Sequence, residues 1–240
     1  MRRLKITIIE TGLAPEPIRE RYATYPQMFE RLIAGADDGF TYEIVSPARG
    51  EALPDPASLE AILITGAAAG VYEDHDWMQP LFEFIRKGAA ARIPQVGVCF
   101  GHQAIAKALG ARVEKADAGW GLGLHTYDVH HTPDWMAALD TFSLGVSHQD
   151  QVLSLPAGAK VIAASDFTPF AALDYPEARA MSFQGHPEFD TEFFEALYRE
   201  REGTRFTSEF VNEAVETLRG PNHNSDVAKW ISNFYRSVPA

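Results

Sequence analysis

The sequence predicts an α/β fold in which a central, mostly parallel sheet has helices on both faces and carries a small antiparallel extension. Over the first 110 residues, short apolar runs alternate with amphipathic segments of helical length, a pattern typical of parallel strands joined by crossover helices. Two runs, 61–66 and 93–98, are apolar for most of their length, as expected for strands buried on both faces. Beyond residue 110, several short strand-like runs follow one another.

The first half of the chain is expected to contain four strands, at 4–9, 40–45, 61–66 and 93–98. A helix is predicted over 18–32 because Tyr22, Tyr25 and Phe29 recur at three- and four-residue steps. Further helices are predicted at 77–88 and 101–109, with Gly110 ending the second of these.

The second half predicts the antiparallel extension and a helical end. Six short strands are expected, at 126–129, 142–146, 152–155, 161–164, 170–173 and 180–183. The stretch 119–125 is predicted to be rich in turns, and Thr132 followed by Pro133 predicts a helix start. Helical spacing of apolar residues around Phe193, Val211 and Trp230 predicts helices in the last fifty residues.

Composition limits the class of protein. The chain has 240 residues, of which 46% are apolar, and residues 1–240 are expected to form a single domain. Its formal net charge of −12 disfavours binding to nucleic acids and to anionic membranes. No apolar stretch approaches the roughly 20 residues that span a bilayer, so a soluble, cytoplasmic protein is expected.

The most informative segment surrounds the single cysteine, Cys99. Gly97 and Gly101 flank it in a Gly-x-Cys-x-Gly arrangement between a predicted strand and a predicted helix, which is typical of a nucleophile elbow. Such a turn pushes the cysteine out of the sheet, and the helix N-terminus favours its thiolate form. The next backbone N–H, that of Phe100, is placed to stabilise an oxyanion.

A nucleophile needs a base, and the base needs a group that orients it. His186, Pro187 and Glu188 follow the last predicted strand. Proline stiffens the turn between the imidazole and the carboxylate, and Glu188 would then orient His186 as the carboxylate does in a catalytic triad. On its own this segment is more typical of a surface loop whose histidine caps a nearby group.

Together the two segments resemble the class I, or triad, glutamine amidotransferases, and in particular the amidotransferase domain of GMP synthase. The family pattern Gly-x-Cys-x-Gly-His-Gln is matched by Gly97, Cys99, Gly101, His102 and Gln103. The second family pattern, His-Pro-Glu, begins at His186, 87 residues after Cys99. The resemblance implies a flavodoxin-like three-layer sandwich.

The resemblance also implies a reaction. Cys99 would attack the side-chain amide of glutamine, His186 would give a proton to the departing ammonia, and water would hydrolyse the glutamyl thioester. Gln103 would help to hold the glutamine. Asp150 matches the family segment that lines the amino-acid end of the substrate, so it is either the partner of the substrate ammonium or a solvated turn residue. His148 is either part of the site wall or a structural hydrogen bonder.

Two departures from the family pattern concern the surroundings of the site. The oxyanion loop of the family commonly reads Ser/Thr-Gly-Gly-Pro, whereas here Thr65 and Gly66 are followed by Ala67. Gly66 and Ala67 are the expected oxyanion donors of this loop. Ala67 would be strained if its φ were positive, so either the loop has a different shape or a neighbouring residue supplies the amide. Gly185 stands where many members carry an aromatic residue, and it is expected to leave room beside the catalytic base.

The sequence leaves three functions open. The first is a stand-alone glutamine amidotransferase-like hydrolase, which would pass its ammonia to a separate synthetase subunit. The second is a hydrolase of γ-glutamyl peptides or γ-glutamyl amines, and the third is a non-enzymatic regulator on a flavodoxin-like fold. No cofactor and no metal are expected, because the spacing of His125, His130 and His131 matches no standard metal site.

Overall fold

The computed structural model describes residues 3–237, and within them it contains eleven strands and seven α-helices. The strands are β1 Leu4–Ile9, β2 Phe40–Val45, β3 Ala61–Ile64, β4 Gln95–Val98, β5 Val113–Lys115, β6 Gly121–Val129, β7 Thr141–His148, β8 Asp150–Val152, β9 Lys160–Ala164, β10 Ala172–Tyr175 and β11 Ala180–Phe183. The helices are α1 Glu16–Arg19, α2 Tyr25–Ala36, α3 Met78–Ala90, α4 Phe100–Ala108, α5 Thr191–Arg199, α6 Ser208–Thr217 and α7 Asn224–Arg236.

Nine strands form one sheet in the order β2-β1-β3-β4-β11-β10-β9-β6-β7. The five strands from β2 to β11 run parallel, and each of the following strands is antiparallel to its neighbour. The remaining strands, β5 and β8, form a separate antiparallel ribbon. Parallel pairing brings the ends of β3, β4 and β11 to one edge of the sheet.

Helices cover both faces of the sheet, which confirms the predicted three-layer α/β architecture. On one face, α2 and α7 contribute Phe29, Ile33 and Trp230 to a core cluster beneath β1, β3 and β4. On the other face, α3 and α4 contribute Leu81 and Ile105 to a second cluster. The third cluster joins α1, α5 and α6 next to the edge where the parallel strands end. Within residues 3–237 no helix is both long and apolar enough to cross a membrane.

The helix predicted over 18–32 is divided in two, with α1 ending at Arg19 and α2 beginning at Tyr25. The division has a local cause. The Thr24 hydroxyl accepts a hydrogen bond from the Gln27 backbone, and the Gln27 side chain accepts one from the Thr24 backbone. This reciprocal cap begins a new helix.

Two other local predictions are wrong. Thr132 and Pro133 open a single turn, closed by a hydrogen bond from the Met136 N–H to the Pro133 carbonyl, and no helix follows.

The predicted turns at 119–125 are replaced from residue 121 onward by β6. Gly123 has a positive φ, and a Cβ there would overlap the Thr217 side chain of α6, so the glycine allows the helix to pack closely on the strand.

Candidate active site

A cavity of about 280 Å³ opens where β3, β4 and β11 end, and it contains Cys99 and His186. Ligand sites of open α/β sheets are found outside the carboxyl ends of the parallel strands. The loop after β3 and the hairpin between β7 and β8 supply further walls. The lining also includes Tyr25, Trp120 and Arg201, which the sequence did not single out.

Cys99 occupies a sharp turn between the last residue of β4 and the first residue of α4. Its φ is +53°, a value that non-glycine residues seldom adopt outside strained functional turns. The turn requires both flanking glycines, because a Cβ at Gly97 would overlap the backbone of Gly101 and a Cβ at Gly101 would overlap the carbonyl of Ile64. Phe100, as the first residue of α4, has an N–H without an acceptor inside the helix.

The structure brings His186 and Glu188 to Cys99. The imidazole of His186 interacts electrostatically with the Cys99 side chain, and its Nδ1 lies 2.7 Å from Oε1 of Glu188. Both partners are almost fully buried, with 5% and 1% of their side-chain surface exposed. The His186 N–H donates to the Gly145 carbonyl at 2.9 Å, so β7 holds the backbone of this turn.

Electrostatics favour a protonated His186. Burial by itself lowers the pKa of the imidazole, but the charges of Glu188 and Cys99 outweigh burial and raise the pKa of His186 to about 10. At neutral pH the site therefore holds an imidazolium between a sulfur atom and a carboxylate. This arrangement can deliver a proton to a leaving group.

The two polar residues that follow the elbow face different surroundings. His102 is fully buried; its Nδ1 lies 2.7 Å from the Ser182 hydroxyl, and burial lowers its pKa to about 3. Gln103 lines the cavity, and its Nε2 donates to the Asp150 carbonyl at 2.9 Å and to Gln184 Oε1 at 3.1 Å. Gln103 therefore ties the elbow helix to the β7–β8 hairpin.

The β7–β8 hairpin brings His148 and Asp150 into the cavity wall. His148 is buried, burial lowers its pKa to about 3, and its Nδ1 lies 3.2 Å from the Asp150 carbonyl. It is thus both part of the wall and a hydrogen-bonding residue. The Asp150 side chain is half-buried and accepts a hydrogen bond from the Tyr72 hydroxyl at 3.2 Å. Burial raises the pKa of Asp150.

The loop after β3 is oriented by Thr11, which follows β1. The Thr11 hydroxyl donates to the Thr65 carbonyl at 2.9 Å and approaches the Gly66 carbonyl at 3.4 Å. In a trans peptide the N–H points opposite to the carbonyl. The N–H groups of Gly66 and Ala67 therefore point away from β1, toward the side of β3 on which β4 and Cys99 lie.

The strain considered for Ala67 does not arise. Among the described non-glycine residues, a positive φ occurs only at Arg92, Cys99 and Arg179. Gly66 lies in close contact with the catalytic candidates instead, because a Cβ there would be 3.0 Å from the His186 ring.

The expectation that Gly185 leaves room beside His186 is wrong. A Cβ at Gly185 would lie 2.7 Å from the Cβ of Leu144. The space is already filled by β7, so Gly185 allows that strand to pack against the turn rather than enlarging the cavity.

Several residues of the site were not found from the sequence. Thr11 and Gly12 follow β1 at the edge of the sheet where the site lies. Because ligand sites lie at the carboxyl ends of parallel strands, the predicted end of β1 could have pointed to these two residues. A Cβ at Gly12 would lie 2.5 Å from the Cα of Ala67. Arg201 gives no such signal, because it lies in a loop after α5, far along the chain from the elbow.

A sheet with a cysteine elbow at its carboxyl edge is typical of α/β proteins that carry a nucleophile at a strand-to-helix turn. A family model for class-I glutamine amidotransferases matches residues 36–202, more than half of the chain. The chain belongs to this family. A crystal structure of a glutamine amidotransferase from Methylobacillus flagellatus is superposed with a TM-score of 0.75 and 22% identity, covering 98% of this chain and 93% of that one. The flavodoxin-like fold is thereby confirmed.

Three curated relatives show different extents of similarity. A glutamine amidotransferase-like protein of Schizosaccharomyces pombe is 27% identical over 95% of this chain and 97% of its own length. Gamma-glutamyl peptidase 2 of Arabidopsis thaliana is 28% identical over 84% of this chain and 82% of its own. GMP synthase of Thermus thermophilus is 34% identical over 57% of this chain but only 27% of its own length. Of these relatives, gamma-glutamyl peptidase 2 and GMP synthase are named as hydrolytic enzymes.

Proposed function

We propose that this protein is a cysteine hydrolase that cleaves γ-glutamyl amide bonds through Cys99, His186 and Glu188. One observation carries the proposal: the elbow cysteine shares the cavity with His186, whose Nδ1 lies 2.7 Å from Oε1 of Glu188. A nucleophile next to a base, with a carboxylate that orients the base, is the arrangement that enzymes use for acyl transfer.

In the first step, the Cys99 thiolate attacks the carbonyl carbon of the γ-amide. The negative charge that develops on the carbonyl oxygen is stabilised by the N–H of Phe100 and by the N–H groups of Gly66 and Ala67. The C–N bond then breaks as His186 gives its proton to the departing nitrogen. The products of this step are a glutamyl thioester on Cys99 and ammonia or an amine.

In the second step, water hydrolyses the thioester. Neutral His186 takes a proton from the water, the oxygen attacks the thioester carbonyl, and the C–S bond breaks. Glutamate leaves, and Cys99 and His186 regain their starting protonation. Glu188 does not change its charge; it keeps the imidazole in the tautomer that both steps need.

The amino-acid end of the substrate would lie against the β7–β8 hairpin. Asp150 is half-buried in the cavity wall and would accept the α-ammonium of the glutamyl group. Gln103 and His148 support this position, since both contact the Asp150 carbonyl. The neutral His148 adds no competing charge.

Two substrate classes fit this reaction. Glutamine would release ammonia, which a separate synthetase subunit would consume, as the family name suggests. A γ-glutamyl peptide or amine would release an amino compound, and the similarity to γ-glutamyl peptidase 2 over most of both chains favours this class.

The test compares glutamine, glutathione and γ-glutamyl amines as substrates of the wild-type protein and of Cys99→Ala. We expect release of glutamate from at least one of them, and complete loss of release in the variant. Because Cys99 is the single cysteine, iodoacetamide should label the wild-type protein at one site and abolish turnover. Circular dichroism and the Tm serve as folding controls.

Unchanged turnover in Cys99→Ala would refute the cysteine mechanism. A folded wild-type protein without activity on any γ-glutamyl amide would instead support the third possibility, a non-enzymatic regulator.

A further inference from the structure

Two side chains of opposite charge line the cavity beside the β7–β8 hairpin. Asp150 belongs to the hairpin itself. Arg201 lies in the same cavity wall, and its Nη1 is 3.5 Å from the hydroxyl of Ser147 in β7. Within residues 3–237 neither Asp150 nor Arg201 has an oppositely charged group within 4.0 Å. The wall beside the hairpin therefore holds a carboxylate and a guanidinium that are not paired with each other.

The segment that carries Arg201 is anchored on β6 and β7. The Tyr198 hydroxyl, near the end of α5, donates to the Val146 carbonyl of β7 and accepts a hydrogen bond from the Gly123 N–H of β6 at 3.0 Å. The Arg201 N–H donates to the Tyr198 carbonyl at 3.1 Å, and the Arg201 carbonyl accepts from the Arg205 N–H at 2.9 Å. The backbone that carries the guanidinium is thus fixed before any ligand binds, which reduces the entropy lost on binding.

Arg201 lacks the acidic partners that its neighbour has. Arg199, in the last turn of α5, pairs with Glu195 at 3.5 Å and with Glu202 at 3.1 Å. Arg201 is partly buried, and burial lowers its pKa. Taking a cation out of water without an acidic partner is costly. An anionic group of a ligand in the cavity would offset this cost.

Tyr25 brings a second donor to this part of the cavity. Its ring packs against Phe189, and within the described residues its hydroxyl has no hydrogen-bond partner. The charge of Arg201 acts on the phenol more strongly than any other charge, and that of Cys99 acts on it as well. Tyr25 lies outside residues 36–202, the segment that matches the family model. The match therefore assigns this tyrosine no role.

We propose that Arg201, together with the Tyr25 hydroxyl, binds the α-carboxylate of the glutamyl group, so that the site accepts only substrates whose glutamyl α-carboxylate is free. This inference rests on the proposed function. The α-ammonium and α-carboxylate are attached to one carbon atom, so the carboxylate lies close to the ammonium that Asp150 binds. Unpaired charges of opposite sign beside one hairpin match these two groups. A glutamine residue within a peptide chain carries neither charge and would be excluded.

Arginine suits this role because its planar guanidinium can donate two parallel hydrogen bonds to a carboxylate. Partial desolvation in the cavity wall strengthens the pairing. Two charges fixed at one end of the substrate limit the directions in which the γ-amide can extend, which favours its placement at Cys99.

The test uses two substrates that differ in one group. They are γ-glutamylethylamide and its α-carboxamide, in which a neutral amide of similar size replaces the α-carboxylate, and the ethylamine released from each is measured. We expect wild-type kcat/KM to be roughly 10- to 100-fold higher for the free carboxylate, and Arg201→Met to remove this advantage through KM. For the α-carboxamide, the effect of Arg201→Met should stay within about twofold.

Two further variants separate charge from geometry. Arg201→Lys keeps the charge but not the planar pair of donors, so it should recover part of the loss. Tyr25→Phe removes one neutral donor, so it should lower kcat/KM for the free carboxylate by roughly 3- to 10-fold.

Matched controls lie outside the cavity. Arg199→Met removes an arginine from the end of α5, and Tyr22→Phe removes a hydroxyl that donates to the Glu192 carbonyl at 3.4 Å. Both should leave the two substrates unaffected.

Three outcomes would overturn the proposal. Equal losses on both substrates in Arg201→Met would mean that Arg201 supports the fold. A preference for the free carboxylate that survives in Arg201→Met would mean that another group binds it. A wild-type protein that cleaves both compounds equally well would show that the site does not recognise the α-carboxylate.

The subsite can be tested apart from turnover. On the Cys99→Ala background, calorimetry should show that γ-glutamylethylamide binds more tightly than its α-carboxamide and that Arg201→Met removes the difference. If this binding pattern is found in a protein that cleaves neither compound, the hydrolase proposal fails and the carboxylate site stands. If turnover is found without the pattern, only the carboxylate site fails.

Discussion

The imidazole of His186 lies flat against the ring of Phe189, with the ring centroids 4.2 Å apart and the planes at 10°. Phe194 meets the same imidazole edge to face at 6.1 Å. His186 is therefore restrained by two rings as well as by Glu188. The face of an aromatic ring attracts a cation, so Phe189 favours the imidazolium form that the proposed first step uses.

Replacing Phe189 should alter the pH dependence of turnover. In Phe189→Leu the imidazolium loses its aromatic partner, so the pKa of His186 should fall from about 10, and the alkaline decline of kcat/KM should begin at lower pH. We expect kcat to fall by roughly 3- to 30-fold, as a desolvated cation–π contact predicts. Phe193→Leu removes a buried ring that contacts Phe189 but not His186, and it should lower the Tm without moving the pH profile. An unmoved profile in Phe189→Leu would contradict the prediction.

Removing the charge of Glu188 should have a larger effect. Glu188→Gln preserves size, but it deletes the negative charge that raises the pKa of His186. The alkaline limb of the pH–rate profile should therefore move down by roughly 1–3 pH units, and kcat should fall by about 10²- to 10⁴-fold because the imidazole loses its orienting carboxylate. Glu192→Gln, at an exposed position at the start of α5, is the control. If the alkaline limb of the pH–rate profile lies at the same pH in Glu188→Gln as in the wild-type protein, Glu188 does not act on His186.

Thr11 should act as a positioning residue for the oxyanion loop. Thr11→Val removes the hydroxyl that holds the Thr65 and Gly66 carbonyls, so we expect kcat to fall by roughly tenfold with little change in KM. Thr7→Val is a matched control on β1, since the Thr7 hydroxyl is buried without a partner in the described part of the chain. That substitution should raise the free energy of unfolding by about 1 kcal/mol and leave kcat unchanged. Equal kinetic effects of the two variants would exclude the positioning role.

The elbow should tolerate no side chain at Gly97. Gly97→Ala places a Cβ against the Gly101 backbone and 2.8 Å from the Cδ1 of Ile105, so we expect a loss of about 1–3 kcal/mol in the free energy of unfolding. Gly35→Ala, in α2, meets nothing within 4 Å and should stabilise the protein by about 0.5–1 kcal/mol. Urea unfolding measures both variants. A stable Gly97→Ala variant would mean that the turn relaxes without cost.

Local patterns predicted most of the sheet. The strand predicted at 4–9 is found at Leu4–Ile9 and the one at 40–45 at Phe40–Val45, because β-branched and alternating residues act within a few neighbours. The short strand β5 was missed. Its three residues are too few to show a strand pattern in the sequence, and the strand is stabilised by pairing with β8. The boundary between α1 and α2 was missed because the reciprocal cap at Thr24 interrupts an otherwise continuous apolar periodicity.

The sequence by itself indicated the residues that we propose to carry the chemistry. The spacing of Gly97, Cys99 and Gly101 describes a turn whose geometry depends on adjacent residues, and His-Pro-Glu is likewise local, so both could be found without the fold. Only the tertiary structure decided what surrounds them. Leu144 occupies the space beside Gly185, and Thr11 orients the loop after β3. Arg201 lies in the cavity wall. Each of these contacts joins residues distant in the chain, and such contacts depend on the order in which strands pair and on the loops that the sheet brings to one edge.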